Sequence, residues 1–386
     1  MNKSKILIVS GIFLVIILVS GYFYKEKSIS NDMVLGTNTS NVIKIGGAIG
    51  LSGICSSWGE GELKAIQLAV KETNDSGGID GKQIKLYIED TMCDPRGTVD
   101  AVQKLINIDK VEAIIGPTWG DSFYAGYTIG NKNKVVMIGS SLVLKALQYN
   151  NVPIDYAFST WFPVDKETRF ISEYAAKNVG KRFATVNDND PFGAVFAKSF
   201  KENATLNGIQ IIREDRITVG QDDFRTIIVR LKTLNLDGVF ISFQAPVSQA
   251  KFQKQAKELG LNIKILNPSD IEDPSFLKDF GTTLEGIIYA YPKDIGSHEE
   301  FYKKYKTMFG IEPSGSSLLN AYDAGRVLIA GLREHYTNGT DLNKAIENID
   351  ISGTVTHRLK FDQNHELTDV EYDIKTVHNG KFEIVK

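Results

Sequence analysis

The stretch Val42-Ile43-Lys44-Ile45-Gly46-Gly47-Ala48-Ile49 decides the fold, because it opens a β-α-β-α-β series that runs to Asp121. An apolar strand is followed by a small-residue loop, Leu51 to Gly59, that carries Trp58. Leu63, Ile66, Leu68, Ala69 and Val70 then recur at helical spacing. The cluster Asn74-Asp75-Ser76-Gly77-Gly78-Ile79-Asp80-Gly81-Lys82 is a turn, since Gly and Asx residues supply unusual backbone angles. Strand two is Ile84 to Glu89, and Asp94-Pro95 opens a helix that buries Ala101, Val102, Leu105 and Ile106. Strand three is Ala113 to Gly116, and its loop, Pro117 to Asp121, carries Trp119. Strands joined by helices of this length require parallel pairing with right-handed crossovers. Ligands collect at the carboxyl ends of such strands.

Outward from this unit, a helix from Phe123 to Asn131 leads to strand four, Val135 to Ile138, and the loop Gly139-Ser140-Ser141. Ala157 to Pro163 reads as an extended segment leaving the first unit, with Trp161 and Pro163 suited to a hinge. A second β-α series starts at Arg182 to Val186 and its loop Asn187 to Gly193, with a helix from Ala194 to Leu206. Strands Ile209–Ile212, Gly238–Ser242 and Ile263–Leu266 follow, with helices around Ile227–Leu234 and Gln249–Leu259 between them. Ile287 to Ala290 is another strand, and Tyr291-Pro292 another crossing. Helices near 298–309, 316–335 and 342–348 and strands near 355–361, 370–377 and 382–385 finish the chain. The fold class is therefore α/β, with two doubly wound parallel-sheet units.

A length of 386 residues suits two domains of roughly 150 residues each. The net charge of -3 supplies no basic field for nucleic acid. All five His lie in the last quarter without metal-pair spacing, which argues against a zinc or iron enzyme. Lys3 and Lys5 precede an apolar run from Ile6 to Val19, extended by Ser20 to Tyr24, which is the pattern of an export signal. The run is also close to the length of a bilayer span, so residues 1–24 are either a cleaved signal peptide or a retained anchor. No Cys follows it, so a lipid-anchored variant is not supported. Residues 25–41 are polar and aperiodic, as a flexible linker is. Cys55 and Cys93 sit in the loops after strands one and two, and are either a disulfide of an oxidising compartment or two small buried thiols.

Gly46-Gly47-Ala48-Ile49-Gly50 is not a dinucleotide loop, because its helix starts past Trp58 and the third glycine is out of place. There is no Gly-x-Ser-x-Gly elbow, no phosphate loop, and no His near the site loops to serve a nucleophile. The residues thus predict no catalysis and no cofactor. Trp58, Trp119 and Trp161 all fall in cleft or hinge loops, where an indole packs either on ligand or on protein. Ser56, Ser57, Ser140 and Ser141 offer hydroxyls for a carboxylate or amide, or serve as ordinary caps. Asp190 and Asp270, on loops of the second unit, suit a ligand ammonium, with a solvated turn carboxylate the stronger reading for Asp190.

The string Ile45-Gly46, Leu51-Ser52-Gly53, Trp58-Gly59, Asn74-x-x-Gly77-Gly78-Ile79-x-Gly81-Lys82, Glu89-Asp90-x-x-Cys93-Asp94-Pro95 and Ile115-Gly116-Pro117 resembles the leucine/isoleucine/valine-binding protein family. Pro191-Phe192-Gly193, Asp223-Phe224, Leu236-Asp237 and Gln255-Ala256-x-x-x-Gly260-Leu261 extend the likeness across the region from Val42 to the end. The resemblance implies an extracytoplasmic receptor of an ABC importer for branched-chain amino acids and related amides. It implies two lobes joined by three crossings: 42–161 with 292–370, and 162–291 with 371–386. Carried over by position, the aromatic after strand one is Trp58, and the carboxylate hydroxyl after strand three falls on Gly120. The contacts after strand four fall on Ser141 and Val143, and the second-lobe aromatic is Phe192. The next contact is Gln244, and the acid that meets the ligand's amine falls on Ser269, with Asp270 beside it. The clamp is thus altered at Gly120, Val143 and Ser269, so amides, urea-like compounds and aromatic acids enter as ligand classes. The expected partners are a small molecule and a membrane permease, with the chain itself a monomer. A sensory module that signals to another partner is the alternative, favoured by an uncleaved anchor.

Overall fold

The computed structural model describes residues 42–53, 55–118, 122–313, 315 and 317–385. The signal or anchor at 1–24, the linker at 25–41, and Trp119 and Gly120 lie outside the described residues. The first sheet holds β1 (Val42–Ile49), β2 (Gln83–Asp90), β3 (Ala113–Ile115), β4 (Val136–Gly139) and β5 (Ala157–Ser159). All pairs are parallel, in the order β2-β1-β3-β4-β5. The connecting helices are α1 (Ser56–Asp75), α2 (Pro95–Lys104), α3 (Ser122–Asn133) and α4 (Leu144–Tyr149). The strand order reverses between β1 and β3, and their loops are tied there by Gly50 N–H donating to Thr118 Oγ1 at 2.9 Å. Ile43, Ile45, Ile114, Ile115 and Ile138 are fully buried, as β-branched residues in a sheet covered on both faces should be. The segment read as leaving the first unit first contributes β5, whose Phe158 pairs with Ile138 of β4.

After α5 (Val164–Asn178) the second series gives β6 (Arg182–Asp188), α6 (Pro191–Leu206), β7 (Gln210–Ile217) and α7 (Arg225–Lys232). It continues through β8 (Gly238–Ser242), α8 (Pro246–Glu258), β9 (Lys264–Asn267), α9 (Pro274–Phe280) and β10 (Ile288–Pro292). The chain then forms α10 (His298–Phe309), α11 (Leu318–Asn338), α12 (Leu342–Glu347) and the antiparallel pair β11 (Asp350–Ser352) and β12 (Arg358–Lys360). It ends in β13 (Tyr372–His378) and β14 (Lys381–Ile384). The second sheet runs β14-β13-β10-β9-β8-β6-β7, parallel from β10 to β7 and antiparallel at the two C-terminal strands. β7 is longer than its apolar residues indicate. Its charged half lies at the sheet edge, where Asp215 pairs with Arg213 and Arg230.

Phe301 and Tyr305 of α10 and Ala321, Ala324 and Leu328 of α11 share one apolar cluster with Ile43, Ile45, Ile66 and Phe158. The late helices therefore cover the first sheet, while the last two strands extend the second. Thr160 Oγ1 donates to the Asn320 carbonyl at 2.8 Å, and Asn320 Nδ2 donates back to the Thr160 carbonyl at 2.6 Å. That reciprocal pair fixes the chain beyond β5 to the start of α11. Among the described residues no helix is long and apolar enough to cross a membrane.

Candidate functional site

The start of α1 sits hard against the end of β1. A Cβ on Gly59 would lie 2.1 Å from the Gly50 carbonyl oxygen, so only glycine permits this approach. Cys55 and Cys93 form a disulfide with a Cα separation of 6.0 Å, which staples the loop after β1 to the loop after β2. The helix so anchored buries Glu62, which is 1% exposed. Ser140 Oγ donates to Glu62 Oε1 at 2.8 Å and Ser141 Oγ at 3.2 Å. Burial pushes the Glu62 carboxyl above its ordinary range, and the hydroxyls of Ser317, Thr118, Ser140 and Ser141 oppose the shift. Ser140 and Ser141 thus give their protons to Glu62, and what they keep for a ligand is acceptor capacity. Val143, on the same stretch, is buried.

The second sheet offers its strand ends in the same way. A Cβ on Gly193 would sit 2.7 Å from Asp188 N, so glycine lets α6 start directly above the end of β6. Asp190 caps that helix by accepting from Gly193 N–H at 2.7 Å. Its role is therefore a helix cap, and it is buried where a solvated turn carboxylate was expected, because the cap sits under the start of α6. Phe192 follows, half-buried, with its ring 4.8 Å from that of Phe196. Gln244, just beyond β8, donates its backbone N–H to Asp188 Oδ2 at 2.7 Å. Beyond β9, Ser269 donates its N–H to Glu167 Oε1 at 2.6 Å and its hydroxyl to Glu167 Oε2 at 3.0 Å. Asp270 Oδ2 accepts from Gln249 Nε2 at 3.0 Å, and Gln249 Oε1 accepts from Asn267 Nδ2 at 2.6 Å. Burial pushes Glu167 up to about 8 and Asp270 up to about 7; the nearby negative charges of Asp270 and Asp188, respectively, add to each.

One side chain joins the two sets. Trp58 Nε1 donates to Asp273 Oδ2 at 3.1 Å, across 215 residues of sequence. Its ring packs on the cluster of Val186, Ile241 and Phe243 and on that of Ala48, Val102 and Tyr127. Trp161 is 6% exposed and lies in the interior beside Phe162, with ring centroids 4.7 Å apart. The structure thus brings Ser140 and Ser141 together on Glu62. It places Phe192, Gln244, Ser269 and Asp270 at the ends of β6, β8 and β9, which are adjacent. Trp58 packs on apolar clusters of both sheets and donates to Asp273, whereas Trp161 is packed among core residues. A surface hollow of about 260 Å³ between α4 and α6, lined by Lys145, Tyr149, Lys198 and Glu202, lies off these strand ends.

Sequence reasoning missed Glu62, Glu167, Asp188 and Asp273. For two of them a signal existed. Glu62 stands in a buried stripe with Ile66, Ala69 and Thr73, and Glu167 in one with Ile171 and Ala175. An acid at a position where helical period demands an apolar residue is a buried acid.

A family profile described as periplasmic binding protein matches residues 42–380. The chain is 24% identical over 342 residues to the Leu/Ile/Val/Thr-binding protein of Salmonella typhimurium, covering 88% of this chain and 92% of that one. Among solved structures it is similar to the branched-chain amino acid transporter substrate-binding protein of Streptococcus pneumoniae in complex with isoleucine. That match has a TM-score of 0.75 and 24% identity and covers 89% of this chain and 99% of that one. It is also similar to an ABC transporter solute-binding protein of R. palustris in complex with benzoate, with a TM-score of 0.76 and 20% identity over 89% and 95% of the two chains. The α/β architecture with two parallel sheets is that of the type I periplasmic binding proteins.

Proposed function

The chain belongs to the periplasmic binding protein family, and we propose that it is the extracytoplasmic substrate-binding protein of an ABC importer. In this reading 42–161 and 292–370 form one lobe, and 162–291 and 371–386 the other. A small solute, a branched-chain or other amino acid, an amide or a related compound, is held between the strand ends of the two sheets. Trp58, Ser140, Ser141, Phe192, Gln244, Ser269 and Asp270 line it, with Trp119 and Gly120 contributing from the loop after β3. Trp161 serves the hinge. The observation that carries the reading is the Trp58–Asp273 hydrogen bond, which spans from the end of β1 to the end of β9. A side chain that touches both sheets at their strand ends senses whether the lobes are together. Ligand preference for the closed form would shift the open–closed equilibrium, and a permease would read the difference.

The test is intrinsic fluorescence and calorimetry of residues 42–386 against amino acids, amides and small organic acids. Saturable binding with a change in tryptophan emission is the expected result. Silence across the whole set would leave the proposal without support. A membrane-tethered sensory module is the second reading, favoured by the apolar run Ile6 to Tyr24. The mass of the native N-terminus separates the two, since a retained run supports the tether.

A further inference from the structure

The hydroxyls at the strand ends of the first sheet are all turned one way. Glu62 lies four residues after Trp58 on α1, so the two share a helix face, one turn apart. Its Oε1 accepts from both Ser140 Oγ, at 2.8 Å, and Ser141 Oγ, at 3.2 Å. Thr118, in the loop after β3, accepts from Gly50 N–H at 2.9 Å and gives its own proton to Glu62 as well. A hydroxyl carries one proton, so once a carboxyl holds it the oxygen meets any further group only as an acceptor. Ser140 is 1% exposed and Ser141 9%, so Ser141 is the one of the pair that reaches the surface.

The resemblance puts the first-side contacts to a ligand carboxylate and its neighbourhood at 120, 141 and 143. Gly120 and Val143 carry no hydroxyl, and the Ser141 proton is already given to Glu62. Those three positions therefore hold no side-chain proton for a carboxylate. The side chains acting on Glu62 are hydroxyls, with no Lys or Arg among them. A solute carboxylate placed here would face lone pairs and a second carboxyl, whereas an N–H group would face the acceptors it needs.

We propose that Glu62 is a positioning residue that sets Ser141, with Ser140 behind it, as acceptors, and that they receive an uncharged N–H donor of the solute, a primary amide or urea nitrogen. The solute class is then amides and urea-like compounds in preference to the matching carboxylic acids. This rests on the receptor reading above and deepens it.

The experiment is calorimetry at pH 7.5 with matched pairs: isovaleramide with isovalerate, benzamide with benzoate, leucinamide with leucine, and methylurea with propionate. The amide or urea of a pair should bind at least about tenfold tighter than its acid, the worth of one hydrogen bond made against one refused. Glu62→Gln puts an N–H donor where an oxygen accepted, which frees a hydroxyl proton, so the amide-over-acid ratio should fall about tenfold. Ser141→Ala should weaken the amides about tenfold and leave the acids unchanged. A merely structural role for Glu62 would weaken both members of a pair together and leave the ratio where it was. Thermal melts show that each variant folds, and Ser141→Ala decides the matter if Glu62→Gln does not. Tighter binding of the acids, or a ratio that neither variant moves, overturns the inference and leaves the receptor reading intact. Absence of binding by every compound overturns both.

Discussion

The two sides of the site treat buried acid differently. On the first sheet a single carboxyl, Glu62, sits among four hydroxyls, on a helix whose start is held by a disulfide. On the second sheet Glu167 accepts from the N–H and hydroxyl of Ser269, Asp270 from Gln249 and Asp188 from Gln244 N–H, so three buried acids sit at neighbouring strand ends. The first side gathers hydroxyls around one buried carboxyl, and the second distributes three buried acids among a serine, a glutamine and backbone N–H groups.

The largest effect should come from cutting the staple on the first side. The Cys55–Cys93 bridge spans 38 residues. Loop-entropy arguments put its stabilisation at about 4 kcal/mol as an upper figure. Denaturant unfolding of the double variant Cys55→Ser with Cys93→Ser, or of reduced protein, reads this directly. An unchanged midpoint would mean that the first side does not depend on its staple.

Next comes Glu62 itself. Glu62→Ala leaves the Ser140 and Ser141 hydroxyls without their acceptor in a dry interior and opens a cavity. A loss of about 3 kcal/mol is expected. Glu167→Gln should cost far less in ligand-free protein, because burial already favours the neutral Glu167 carboxyl and the amide keeps an acceptor for Ser269. Equal losses in the two variants would erase the contrast between the sides.

The helical period, the apolar strands and the glycine turns made the sheet architecture readable, because most strands of the parallel core are short, largely apolar runs. Charge concealed the rest. Arg213 to Arg216 read as loop and proved to be paired residues of an edge strand. The strand read at 355–361 is β12 alone, and it needs β11, a segment of only three residues, as partner. The short helices α4 and α9 span too few turns to show a period. At the site, loop residues after strands were legible from topology alone. Glu62 and Glu167 were not, because an acid on a helix is read as solvated unless its place in the apolar stripe is checked. Asp273 joins Trp58 across a gap that no local pattern encodes.

The pH dependence of stability sharpens the comparison further. Glu167 is raised from 4.5 to about 8 and Asp270 from 3.8 to about 7, chiefly by burial. Across that interval the ligand-free folded chain holds more protons than the unfolded chain. Stability therefore falls as pH rises from about 4.5 to 8. Because the two acids interact, the combined change is on the order of 2 kcal/mol or more. Denaturation midpoints measured over this range should slope downward, and the variant Glu167→Gln with Asp270→Asn should flatten the slope. A slope that persists in the double variant would assign the effect to the other acids that burial raises, Glu62, Glu272, Asp323 and Glu366.

The smallest effect tests the contact through which the two sides meet. Trp58→Phe keeps an aromatic six-membered ring and removes the pyrrole part of the indole with the N–H that reaches Asp273. Asp273 is 1% exposed, so its oxygen loses a donor in a place that water reaches poorly. Hydrogen bonds to charged groups contribute roughly 1.5–3 kcal/mol, and the ring's remaining contacts place this variant at the lower end. Because Trp58 packs on clusters of both sheets, the loss should fall on the closed arrangement and not on either sheet alone. Small-angle scattering of ligand-free protein should then report a larger radius of gyration, while the unfolding midpoint moves little. Asp273→Asn, which keeps an acceptor for the indole, should lie between the wild type and Trp58→Phe. If Trp58→Phe instead lowers the unfolding midpoint and leaves the dimensions unchanged, Trp58 belongs to the first side and does not report on closure.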